Sequence, residues 1–174
     1  SAVKTARRST GKRAAALALT AALVVGMTLP AFAQDWFIEN GDISISAGES
    51  GNNVTQGGTT TENDTDTVIK SKDSSTASSN TVTIDAEEGK TVDVTLDNVT
   101  INVDEGYQHG YDPNAYKTAV SVTGSGNTNI ELNGNNTLTS GYGHAGLEHN
   151  KTDDSGTLTI TDNNNDGKLT ANGG

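Results

Sequence analysis

Short stretches of alternating apolar and polar residues, broken by clusters of Asn, Asp and Gly, recur in step along the C-terminal half of the chain. Residues 91–103 (TVDVTLDNVTINV), 127–138 (NTNIELNGNNTL) and 156–169 (GTLTITDNNNDGKL) each read as strand, polar turn, strand. Ile130 and Leu158 are 28 positions apart, and so are Leu132 and Ile160. A repeat of this length built from strands alone predicts a solenoid, in which each coil buries its apolar edge on the next.

Alternation also fixes which side chains point inward, because successive side chains of a strand face opposite ways. Val82, Ile84, Val92, Val94 and Leu96 fall on the inner face, with Thr and Asp between them. The phase resets at Asp97-Asn98 to Val99, Ile101 and Val103, as at a corner between two strands. Val120 with Val122, Ile130 with Leu132, and Leu138 supply three short strands for the next coil. Leu147, then Leu158 with Ile160, then Leu169 supply the one after. The expected fold is therefore all-β, a right-handed parallel β-helix (solenoid), truncated at its C-terminal end. An antiparallel β-sandwich is the alternative, since it too uses many short strands. Residues 35–38 (DWFI) read as a cap or first strand, residues 42–47 as a strand, and residues 48–66 as a polar surface loop.

The N-terminus has a different character. A basic segment (residues 6–13), an uncharged apolar run (14–29) and the small residues Ala31 and Ala33 form the pattern of a secretory signal peptide over residues 1–33. Residues 34–174 are then the exported domain, secreted or held at the cell surface. Five of the 11 basic residues lie in the leader, so the rest carries six Lys, no Arg and 22 acidic residues. That acidic balance disfavours nucleic acid and an anionic membrane surface as partners once the leader is cleaved. With no Cys, the domain holds together without disulfides.

The repeat residues 91–103, together with 118–122 (TAVSV), 127–141 and 144–150 (HAGLEHN), carry a resemblance. The chain resembles a family of secreted bacterial carbohydrate-binding proteins, right-handed β-helices related in shape to pectate lyases. The resemblance spans most of residues 35–174. It implies binding of plant cell-wall polysaccharide, cellulose or pectin-like polygalacturonate, with calcium in the structure and without appreciable lyase activity.

The residues themselves point to a binding site in one segment. Residues 104–117 (DEGYQHGYDPNAYK) lengthen the spacing between copies, so that Leu96 and Leu132 lie 36 positions apart. The segment therefore loops out of the coil. It gathers Tyr107, Tyr111 and Tyr116 with His109 and Asp112, and Tyr142 lies near it one coil later. A sugar ring offers C–H groups on its faces and hydroxyls around its rim. Aromatic rings flanked by acidic and amide groups match that chemistry. The competing reading is that these tyrosines pin the loop to the solenoid.

Asp162, Asn164, Asp166 and Gly167 stand in the order of the first half of a calcium loop, although Gly173 occupies the place of its closing Glu. A polar corner between strands explains the same residues. Enzymatic readings find less support. A pectate lyase needs an Arg-like base, and only lysines, placed mostly at turns, remain after the leader. Asp153-Asp154 and Gly143-His144 superficially match a polygalacturonase, but their order is reversed and the Gly after the His is Ala145. The expected function is non-catalytic polysaccharide binding, with calcium structural or ligand-bridging. A structural or adhesive cell-surface solenoid is the alternative, as is a lyase whose catalytic residues lie outside this segment.

Overall fold

The computed structural model describes residues 32–107, 112, 115–150, 152 and 154–174. The leader reading, over residues 1–33, falls almost wholly outside them.

The described chain is all-β, with a short 3-10 turn at Ile38–Asn40. Its strands are β1 (Phe32–Phe37), β2 (Ile43–Ala47), β3 (Asn52–Gln56), β4 (Thr59–Lys70), β5 (Val82–Asp85), β6 (Thr91–Asp97) and β7 (Thr100–Asn102). They continue as β8 (Val120–Thr123), β9 (Asn127–Asn133), β10 (Asn135–Thr139), β11 (Leu147–Glu148), β12 (Leu158–Thr161) and β13 (Lys168–Asn172).

The strands return to three columns. In the first, β1, β4, β6, β9 and β12 pair in parallel. In the second, β7, β10 and β13 pair in parallel. In the third, β2, β5, β8 and β11 do the same. From β5 onward the chain visits the columns in the fixed order third, first, second. The strand groups expected from the alternation are the ones that pair.

Register stacks like on like inside. Thr67, Val94, Ile130 and Ile160 form one inner row. Ile43, Val82, Val120 and Leu147 form another. Val82, Ile84, Val92, Val94, Leu96, Val99, Ile101 and Val103 are all buried, as their alternation requires. Ile130 faces Ile160, so the true offset between these coils is 30 residues. The 28-residue spacing falls two residues short of this register: it sets Ile130 against Leu158, which pairs with Thr128.

The sheet is mixed, which departs from an all-parallel stack. Residues 48–66, expected to be a surface loop, supply β3 and most of β4. β3 runs antiparallel to both β2 and β4 and joins the first and third columns into one ten-stranded sheet. Gly57 (φ 60°) and Gly58 (φ 76°) close the β3–β4 hairpin, which needs left-handed backbone at both positions. A bulge at Asn63 (φ 58°) then turns β4 into the first column.

Residues 35–37 do form part of the first strand, as expected, and Ile38 opens the 3-10 turn that follows it. Trp36 is buried, and its Nε1–H donates to Asp64 Oδ2 at 2.7 Å. The Asp97-Asn98 corner also stands as read. Asn98 adopts left-handed backbone, φ 54°, and its Oδ1 accepts the Asn135 N–H of the next corner at 3.1 Å. Lys70 is an exception to the placement of lysines at turns. It lies on β4, with Nζ 3.3 Å from Asp35 and 3.5 Å from Asp97.

Candidate functional site

The chain leaves the second column after β7 and rejoins the third at β8, and the tyrosines gather along that excursion. Val103 is still tied to the stack, its N–H donating to the Thr139 carbonyl at 2.9 Å. Asp104 then caps a turn, its Oδ1 accepting from Gly106 N–H at 2.9 Å, and Gly106 takes φ 70°. The return is anchored by Ala119 N–H, which donates to the buried Ser140 hydroxyl at 2.8 Å. Ser140 in turn donates to the Ala145 carbonyl at 2.7 Å.

Two segments one coil apart are thereby clamped together. Gly141 N–H donates to the Lys117 carbonyl at 2.8 Å. A Cβ at Gly141 would sit 3.3 Å from Tyr116 Cβ and from the Lys117 backbone, so glycine permits the close approach. Tyr142 follows on a turn closed by His144 N–H donating to the Gly141 carbonyl at 3.1 Å.

Tyr142 is thereby brought against two other rings. Its centroid lies 5.3 Å from Tyr107 at an interplanar angle of 63°, an edge-to-face contact. Tyr116 lies 5.5 Å from Tyr142, tilted by 56°. Tyr116 is 9% exposed, Tyr142 42% and Tyr107 56%. The pinning reading therefore describes Tyr116, whereas Tyr107 and Tyr142 present ring surface to solvent. Contacts of this kind are worth about 0.5–1.5 kcal/mol each and hold the rings in place. Of the other expected residues, Asp112 accepts from Ala115 N–H through its backbone carbonyl at 2.9 Å. His109 and Tyr111 lie outside the described residues.

The histidines nearby are engaged in the scaffold. His144 Nδ1 lies 3.0 Å from the Thr118 hydroxyl and 3.0 Å from Glu148 Oε2. The two ring nitrogens of His149 each lie 3.2 Å from a backbone carbonyl, of Val122 and of Gly156.

At the suggested calcium loop, Asp162 Oδ1 accepts the N–H groups of Asp166 and Gly167, both at 3.0 Å. Asn165 takes left-handed backbone, φ 57°. Asp162 thus organises a turn, the polar-corner geometry, with Asn164 and Asp166 exposed beside it. Among the described residues, no three His, Asp or Glu side chains are grouped to hold a metal ion.

The outer face of the first column, where alternation puts the polar residues, forms a second polar surface. Register sets Asp93 beside Asn129, Thr95 beside Glu131, and Asp97 beside Asn133. Asn129 Nδ2 donates to Asp93 Oδ1 at 2.8 Å. Glu131 accepts from Asn163 N–H at 2.7 Å, from Asn163 Nδ2 at 2.8 Å and from the Thr161 hydroxyl. In the sequence these are the ordinary polar partners of core residues. Only the register reveals that they line up.

Comparison with protein-family profiles, with curated protein sequences and with solved structures gave no match.

Proposed function

We propose that this chain is an exported, non-catalytic polysaccharide-binding domain, and that its three columns wind as a right-handed parallel β-helix. The observation that carries the reading is the tyrosine cluster, in which two solvent-exposed rings, Tyr107 and Tyr142, meet edge-to-face and Tyr142 also rests against the buried Tyr116. Rings fixed in this way stack on sugar faces at low entropic cost, because their orientation is set before the ligand arrives. Asp112 and the acidic segment around Tyr107 supply acceptors for sugar hydroxyls. His109 and Tyr111 complete the site by their place in the same segment.

The polymer is of plant cell-wall type, cellulose or pectin-like. Uronate chains carry the same sign of charge as the domain, so they are bound through a bridging cation, for which calcium has the right preference for carboxylate oxygens. Asp162, Asn164 and Asp166 are the candidate structural ligands. The leader-like N-terminus supports secretion or display at the cell surface. An acidic domain of this kind does not take nucleic acid or an anionic bilayer as its partner.

The test is depletion of the purified chain by insoluble cellulose and by calcium-crosslinked polygalacturonate, in calcium and then in chelator. Retention on either polymer is the expected result, with loss in chelator where calcium bridges or stabilises. A folded sample that neither polymer retains overturns the reading and favours a rigid adhesive spacer.

A further inference from the structure

We infer that Asn40 is a self-modifying position, whose side-chain amide closes on the Gly41 nitrogen to a succinimide that water then opens to aspartate or isoaspartate. The site lies in the joint between β1 and β2. It shares no residue with the tyrosine cluster and stands whether or not the chain binds a polysaccharide.

Asn is followed by Gly at Asn40, Asn133 and Asn172. A glycine there leaves the attacking nitrogen unshielded and lets the backbone turn toward the side chain. The structure separates the three positions. Asn133 is in register with Asp97, its carbonyl accepts the Asn98 N–H at 3.1 Å, and its Oδ1 is buried. Asn172 is in register with Thr139, its carbonyl accepts the Ser140 N–H at 3.0 Å, and its Nδ2 donates to Thr139 Oγ1 at 3.2 Å. Both are held in strand ladders. Asn40 is exposed at the end of the 3-10 turn, and Gly41 takes φ 138°. The Gly41 N–H reaches the Ile38 carbonyl at 3.4 Å, a long bond that leaves the nitrogen loosely held.

A cation supplies the second, independent observation. Lys72 Nζ donates to Asn40 Oδ1 at 2.5 Å. Its position is fixed from two sides, by the Phe37 ring 5.8 Å from the ammonium and by Glu39 Oε1, which accepts the Lys72 N–H at 2.7 Å. When the Gly41 nitrogen attacks Asn40 Cγ, negative charge gathers on Oδ1, where the ammonium already sits and stabilises it. The Gly41 N–Cγ bond forms, the Cγ–Nδ2 bond breaks, and ammonia leaves with the Gly41 proton. Water then adds to either carbonyl of the imide. Opening at Cγ leaves aspartate, and opening at the main-chain carbonyl leaves isoaspartate, with the chain running through Cγ.

The change acts on a joint that the fold ties shut. Gln56 Nε2 donates to the Phe37 carbonyl at 2.7 Å and to the Gly41 carbonyl at 3.0 Å, so its amide spans the modified residue. Isoaspartate sets one more main-chain atom between those two carbonyls, and the Gln56 tie or the Ile38–Gly41 contact has to give. The strand next to the joint, β1, pairs with β4 in the first column. Ageing at Asn40 therefore loosens the attachment of β1 to β2.

The test is peptide mapping by mass spectrometry of the purified wild-type chain, aged in mildly alkaline buffer, with isoaspartate read by a carboxyl methyltransferase. The peptide holding Asn40 is expected to gain one mass unit and take the methyl label ahead of those holding Asn133 and Asn172. Asn40→Gln should abolish that gain, and Lys72→Gln should slow it at least threefold. No gain at Asn40, or one that trails Asn133 or Asn172, overturns the inference. Equal rates in folded wild type and folded Lys72→Gln overturn the part given to the lysine. A lasting loss of ammonia with residues 40 and 72 joined in one cross-linked peptide makes Lys72 the nucleophile and overturns the succinimide. The ranking of the three positions uses the wild-type chain, so it stands even where a variant fails to fold.

Discussion

Single side chains hold this fold together where backbone pairing alone would not. Asp64 is 1% exposed, yet it accepts from Trp36 Nε1 at 2.7 Å, from Gln34 N–H at 3.1 Å and from Asp66 N–H at 3.2 Å. Asp64→Ala strands those donors beside the core and should cost about 2–4 kcal/mol in urea denaturation. An unchanged midpoint would contradict this account of the N-terminal end. Asp73 is an opposite case, an exposed carboxylate in the turn before β5. Hydrogen bonds from the Ser75 hydroxyl, the Ser75 N–H and the Thr76 hydroxyl hold its carboxyl below the usual carboxylate range. A depressed folded value means that the turn is stabilised above the ordinary titration range. That stabilisation is lost as pH falls through the depressed value. The Ser75 and Thr76 amide resonances should therefore move at a pH below that of a free carboxylate, and movement at the ordinary pH would contradict the capping.

At the scale of elements, inner-row positions should respond to the same truncation according to how fully they are covered. Ile84 is fully buried in the third column, whereas Ile160 on β12 is 43% exposed. Ile84→Ala should destabilise by about 2–5 kcal/mol and Ile160→Ala by well under half of that, read from the same denaturation curves. The β3–β4 hairpin makes its own prediction. Replacing Gly57 and Gly58 with Val forces branched side chains into left-handed backbone and should cost about 1–3 kcal/mol per site.

The elements also differ in how far the sequence announces them. From β5 to β13 one face is apolar, so period-two alternation marks each strand and its inward residues. β3 and the first part of β4 carry polar residues on both faces, among them Asn52, Asn53, Thr59, Thr60 and Thr61. Their pattern looks like a loop, although the adjacent glycines of a two-residue hairpin turn are present. The tyrosine segment was legible because it stretches the interval between Leu96 and Leu132, which do pair in register. The ring contacts themselves were not, since they depend on the Lys117–Gly141 clamp between coils. That polar residues face outward on these strands was legible from the alternation, but which of them become neighbours on the first column was not. A polar residue opposite a core residue carries no mark of its neighbours on the next strand.

Across the whole molecule, three parallel columns and one antiparallel hairpin set out two separate polar and aromatic surfaces on a rigid stack. Polymer binding through the exposed tyrosine pair is the claim on which the functional account rests. It is tested most directly by comparing wild type with the variant carrying Tyr107→Ala and Tyr142→Ala for retention on cellulose and on calcium-crosslinked polygalacturonate. Tyr116 is left in place to keep the excursion anchored. The account predicts that wild type is retained, and that the double variant keeps its melting temperature within a few degrees while its affinity for the retaining polymer falls at least tenfold. Equal retention of a folded double variant would contradict it and leave the tyrosines a purely structural role.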